Sequence, residues 1–281
     1  MDLLSTLHNC SEHQLDSIIE EALNKAIIDS DKKEFLGFKK YKNFIASHKG
    51  LIAPDTRIRY CNMSMNHYSM KTTDYYYEFA KYLKEYNINN KSVLVRVLEN
   101  FINGYFGINN TNKDMRDAYF NQLTWQTTTT DEEYFAKIDS LEIGDLKGKN
   151  IAMCTERAAI AQNILTLFGF ETYYCMGAID NNGQREAHCF NIVKAKNSFM
   201  LVDYSIPCPL IFMDKIIDYA PFQGEIDFNE IEDVLLNGFY KTFDSYEYVQ
   251  NSNEIKKVLT GKTRIYTVGN LDIEYTKNHK L

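Results

Sequence analysis

The sequence predicts an α+β fold in which a helical lobe packs on an antiparallel sheet. Two observations lead there. Apolar residues recur at helical spacing through most of the first 138 residues and again from 154 to 168. Three strand-like runs then follow at 171–179, 186–195 and 199–206, divided by turn-forming residues at 180–183 and at Lys196 and Asn197. Residues 1–70 read as an N-terminal helical region and 71–281 as the main domain.

Taken in order, residues 13–28 bring Leu15, Ile18, Ile19, Ala22, Leu23, Ala26 and Ile27 to one side of a helix. Residues 32–47 do the same with Phe35, Leu36, Phe38, Tyr41, Phe44 and Ile45, leaving a solvated face of lysines. From Gly50 to Thr73 the periodicity fails, and the segment reads as irregular with one short strand from Arg57 to Cys61. Its His67 carries no pattern that points to chemistry. Thr73 and Asp74 then open a helix with Phe79, Ala80, Leu83 and Tyr86 inward, and Asn89 and Asn90 separate it from 91–107, which is apolar on nearly every side. A short helix over 112–123, an exposed tract around Trp125 and Thr127–Thr130, and another short helix from Asp131 to Ile138 lead to the turn residues 144–150. Cys154, Ala158, Ala161, Leu165 and Phe168 form a continuous stripe on the following helix, which Gly169 ends. Further on, 229–240 and 252–259 are helical in pattern, 263–268 is strand-like, and the last dozen residues are polar enough to fray.

A chain of 281 residues, 44% of them hydrophobic, holds a substantial core. Its net charge of −7, without a basic block, argues against nucleic acid as a partner. No run of apolar residues is long enough for a membrane span and the first residues lack the character of a secretory signal, so a soluble cytoplasmic protein is expected. Six cysteines (10, 61, 154, 175, 189 and 208) are too few and too scattered for a disulfide framework. Zinc is a poor reading of Cys154, Cys175, Cys189, His188 and Cys208: there is no C-x-x-C hook, and neighbours 188 and 189 leave a strand on opposite faces. Neither metal nor cofactor is expected.

Three residue types nonetheless fall where nucleophilic chemistry needs them. Cys154 begins a helix, whose unpaired N–H groups and positive dipole end favour a thiolate. His188 lies in a strand, as an imidazole able to take the thiol proton, and Asp203 lies in the next strand. If Lys196 and Asn197 form a two-residue turn, paired positions sum to 393, so His188 faces Ser205 and Phe190 faces Asp203. Side chains 188 and 203 are then diagonal neighbours on one face, within reach of a hydrogen bond that would fix the imidazole tautomer. A slip of one residue would separate them.

At these residues the sequence resembles the transglutaminase-like superfamily of papain-like cysteine enzymes. The resemblance rests on CTERA at 154–158, LFGF at the helix end, a strand carrying Gly177, HCFN at 188–191 and LVDYSIP at 201–207. It covers about 60 residues, and Phe190 stands where the family often has Trp. It implies a transglutaminase-like core within 71–281, a catalytic triad of Cys154, His188 and Asp203, and a protein, peptide or other amide substrate handled through a thioester. Of the oxyanion donors, one would be the Cys154 backbone N–H and the other would come from Asn150, Gln126, Trp125 or a tyrosine of the helical lobe. Two alternatives are carried with it. Cys154 and Glu156 also match the Cys-x-Glu of arylamine N-acetyltransferases, although Asn150-Ile151-Ala152-Met153 replaces their Arg-Gly-Gly approach. A non-catalytic binding or scaffold protein on the same fold, with tyrosine-rich helices as its contact surface, is the other.

Overall fold

A computed structural model describes residues 2–30, 47–54, 57–59, 67–107, 114–116, 118–119, 141–181, 184–194, 199–205, 263–268 and 271–276. The helix expected over 32–47 lies outside them except for Ser47, which begins a strand. Most of 112–123 is also outside, and so are Trp125, Gln126, the threonine tract, the helix at 131–138, and 229–240 and 252–259.

Helices α1 (Leu3–Asn9) and α2 (Glu12–Ser30) open the chain. Gln14 accepts from the Ser11 backbone N–H at 3.0 Å, one arm of a capping box that starts α2. Buried Leu15, Ile19 and Leu23 are spaced by four, and they join Leu4 and Leu7 in the same core as the later helices. Helix α3 (Asp74–Glu85) buries Tyr75, Tyr76, Phe79, Ala80 and Leu83. Tyr86, expected inward, is 57% exposed because the helix ends just before it, and its ring lies against Tyr82 instead. Helix α4 (Lys91–Phe106) starts on Asn90, whose side chain accepts from Ser92 N, and Gly107, at φ 89°, ends it. Phe79 joins α3 to α4 through Phe101 and to the end of the cysteine helix through Phe168.

The turn-forming stretch before the cysteine contains a short 3-10 helix, Ile143–Leu146, and then two positive-φ residues, Gly148 and Asn150. Helix α5 (Cys154–Leu167) follows, with Phe168 as its C-cap and Gly169 at φ 78° just beyond. The apolar stripe is buried, but so are Thr155, Glu156, Arg157, Gln162 and Asn163. Helix α5 is therefore an interior helix touching α2, α4 and the sheet, rather than one with a single wet face.

Strands β1 (Ser47–Lys49), β4 (Thr172–Asn181), β5 (Gln184–Lys194), β6 (Phe199–Val202), β7 (Thr263–Val268) and β8 (Leu271–Thr276) form one antiparallel sheet. Its order is β6-β5-β4-β7-β8, and β1 pairs with the first half of β4 while β7 pairs with the second. The last strand corrects the expectation of a frayed end: 271–276 alternate apolar and polar, a period-two pattern that low overall hydropathy conceals. The irregular region after Gly50 also contains more order than its composition suggests. Strand β2 (Arg57–Arg59) pairs with β3 (His67–Ser69), and Leu51 and Ile52 are core residues.

Amide side chains tie α5 to its surroundings. Gln162 donates to the carbonyls of Gly50 and Thr172 at 2.7 and 2.9 Å. Asn163 accepts from Ile52 N at 2.7 Å and donates to Ile52 O at 3.1 Å, closing both backbone groups of that residue. Asn191 on β5 donates to Ala158 O and to the Gln162 carbonyl, each at 3.1 Å. Buried amides of this kind are costly unless paired, so they hold α5 in one position against β4 and β5. No helix among the described residues is long and apolar enough to cross a membrane.

Candidate active site

The site is built from the start of α5. Glu156, in the first turn, accepts from the Met153 backbone N–H at 2.8 Å and from Arg116 Nη2 at 2.5 Å. Arg116 Nη1 donates to Ile151 O at 2.9 Å. On the other side of the helix start, Arg157 donates to Ala152 O, Gly107 O and Asn103 Oδ1, at 3.2, 2.6 and 2.8 Å. Two buried guanidinium groups thus fix the backbone of 151–153 and, through it, the position of Cys154. Burial opposes the charge of Glu156, but Arg116 and the Met153 N–H outweigh it and hold the carboxyl below its ordinary range. Burial pulls Arg157 down to about 10, still charged at neutral pH.

Across from the helix start, β5 and β6 pair Asn191 with Val202, Ile192 with Leu201, Val193 with Met200 and Lys194 with Phe199. Every pair sums to 393, the register on which the sequence argument depends. His188 Nε2 and Asp203 Oδ2 are 2.7 Å apart, and both residues are buried. Asp203 Oδ1 accepts from the Ser205 hydroxyl at 2.5 Å and from Ser205 N at 3.0 Å. The same hydroxyl lies 3.3 Å from His188 Nε2. Burial disfavours a charged His188, yet the Asp203 carboxylate and the Cys154 sulfur prevail and raise its pKa to about 10. Burial likewise works against ionised Asp203, and His188 and Ser205 together pull its pKa below the ordinary value.

Cys154 is half-buried, and the side chains of His188 and Cys189 both act on its thiol. Nε2 is the ring nitrogen that Asp203 holds. The thiol is pushed well above its ordinary pKa, first by the Cys189 hydrogen bond and then by burial, while His188 acts in the opposite direction. Successive residues 188 and 189 thus both act on one thiol, which strict alternation along a strand does not predict.

The oxyanion candidates divide. As the first residue of α5, Cys154 presents a backbone N–H with no acceptor inside the helix. The Asn150 N–H donates to Phe106 O, and its side-chain oxygen occupies the space where a Cβ on Gly107 would stand. Its positive φ turns it toward the end of α4. Gln126 and Trp125 lie outside the described residues.

Sequence reasoning gave no role to Ser205, Arg157, Arg116 or Cys189. Ser205 was within reach, since the register itself sets it opposite His188 and Asp-x-Ser is a familiar self-bonding turn. Arg116 was not, because nothing local ties residue 116 to residue 156. Among the described residues no group of three or more His, Cys, Asp or Glu side chains is arranged to hold a metal ion. Compared with family models, curated proteins and solved structures, the chain matches none.

Proposed function

We propose that this chain is a cysteine-dependent enzyme of cytoplasmic acyl transfer or hydrolysis, with a transglutaminase-like core and an amide, peptide or protein substrate. The observation that carries the reading is the Asp203 carboxylate bound at 2.7 Å to His188, with Cys154 on the same ring at a helix start. Cys154 attacks the carbonyl as His188 takes the thiol proton. Asp203 holds the ring in the tautomer that accepts at Nδ1 and stabilises the imidazolium that forms. The tetrahedral oxyanion is met by the Cys154 N–H and by a second donor, with Asn150, Gln126, Trp125 or a tyrosine of the helical lobe as the candidates. His188 returns the proton to the leaving amine, and water or another amine then opens the thioester.

The raised thiol pKa is the one observation that favours a non-catalytic binding protein, in which Cys154 remains a protonated core thiol. Glu156 is engaged by Arg116 and by the helix cap, so the Cys-x-Glu match to acetyltransferases gains no support from its surroundings. A thiol-reactive amide mimic, followed by peptide mapping, separates the readings. It is expected to label Cys154 in the wild type and not in Cys154→Ala, with circular dichroism of the two unchanged. Equal labelling of the two, or no labelling of Cys154, would sink the enzymatic reading.

A further inference from the structure

Cys189 is the buried thiol for which the reaction above has no use. It belongs to β5, next to His188, and its sulfur lies 3.5 Å from the hydroxyl of Thr155, the residue following Cys154. The Tyr174 hydroxyl donates to the same sulfur at 3.4 Å. Cys189 thus reaches the first turn of the helix that Cys154 begins, it acts on the Cys154 thiol, and both thiols are reduced. Cys175 offers no such partnership, since it pairs with Phe190 on the other face of the sheet and its thiol donates to Tyr173 O. Cys10 lies at the junction of α1 and α2, with its thiol on Leu7 O. A half-buried thiol with a buried one beside it is the arrangement in which oxidation ends as a disulfide.

We propose that Cys189 is a resolving thiol, which closes a Cys154–Cys189 disulfide after a hydroperoxide oxidises Cys154. The inference rests on the functional reading in one respect, that His188 accepts the Cys154 proton. Cys154 sulfur attacks a peroxide oxygen, the O–O bond breaks, and the departing oxygen leaves as water or alcohol with the proton held by His188. Cys154 is then a sulfenic acid. Cys189 sulfur attacks it, the S–O bond breaks, and the hydroxyl leaves as water with the Cys189 proton. Two thiols have lost two electrons to one peroxide. The hydroxyls of Tyr174 and Thr155 are positioned to stabilise negative charge on Cys189 as it attacks. The bridge stores the nucleophile in a form that a dithiol reductant restores, whereas sulfinic acid is a dead end for Cys154.

The test is peroxide treatment of the full chain, alkylation under denaturing conditions and peptide mapping, with Cys189→Ser as the comparison and Cys189→Ala as a second variant if serine disturbs folding. In the wild type a 154–189 crosslinked peptide is expected, lost on adding dithiothreitol. In the variants Cys154 is expected to pass to sulfinic acid, so that the fraction recovered as thiol after reduction falls about tenfold. Equal sulfinic acid in wild type and variants, or a bridge from Cys154 to another cysteine, would overturn the proposal. The amide mimic is a separate readout: a bridge without amide labelling leaves the redox inference standing while acyl transfer fails, and labelling without a bridge does the reverse.

Discussion

Two buried charge pairs lie within a few residues of the same thiol, and they differ in where their remaining hydrogen-bonding capacity points. In Arg116–Glu156 both partners turn to backbone, Glu156 to Met153 N and Arg116 to Ile151 O. The pair closes on the chain and serves to hold the approach to α5. In His188–Asp203 the carboxylate is closed by Ser205, while the ring acts on the Cys154 thiol. Burial is similar and the ion types are similar, so neither charge nor depth marks the candidate active site. What marks it is a titratable group left facing a nucleophile. A buried pair whose further hydrogen bonds go to backbone is architecture, even two residues from the sulfur.

Breaking each pair separately should expose that difference. Asp203→Asn is expected to reduce the rate of Cys154 labelling by about three to four orders of magnitude, because the amide favours the wrong ring tautomer. Its thermal midpoint should move far less than its rate, and a rate within tenfold of wild type would remove Asp203 from the mechanism. Arg116→Met should do the opposite, costing about 3–5 kcal/mol of stability in denaturant titration by stranding the buried Glu156 carboxylate. Replacing both with methionine is expected to recover most of that loss, and no recovery would mean the pair does more than balance charge.

Ser205→Ala sharpens the comparison within the site. It removes one of the two Ser205 bonds to Asp203 and retains the backbone N–H bond, so a loss of about tenfold in labelling is expected, near the net worth of a hydrogen bond to a charged group. As a positioning residue it should also shift the pH profile of labelling, with Ser205→Thr restoring both; a flat profile with lost stability would make it merely structural.

The histidine–aspartate pair also has a pH signature above neutrality that the arginine–glutamate pair lacks. His188 has a folded pKa of about 10, above its value of about 6.5 in an unfolded chain. Folded protein binds the extra proton, so this contribution is full below about pH 6.5 and declines as pH rises toward about 10. The thermal midpoint of the wild type should fall across that window more steeply than that of Asp203→Asn. Identical slopes would detach the shift from the carboxylate.

The element types were legible because period and punctuation agreed in each. Helices α2 to α5 follow from apolar spacing with Asn90, Gly107 and Gly169 at their ends, and β4 to β6 follow from runs of strand-forming residues between turns. The register sum of 393 was readable because a two-residue turn at Lys196 and Asn197 permits one pairing, and that pairing decides which side chains can meet. β8 was missed because its alternation is diluted by charges, and Tyr86 was misassigned because a helix boundary moved by one residue turns a side chain from core to water.

By itself, then, the sequence determined the cysteine at a helix start and the histidine and aspartate one diagonal apart, because these depend on local periods and one short turn. Only the tertiary structure decided that Arg116 meets Glu156, that Gln162 reaches Gly50, that Asn150 turns to Gly107 and that Cys189 reaches Thr155 at the start of α5. Those contacts join residues far apart in the chain, or on faces that alternation keeps separate. Interior packing of α5 brings them together, and no local pattern encodes that packing.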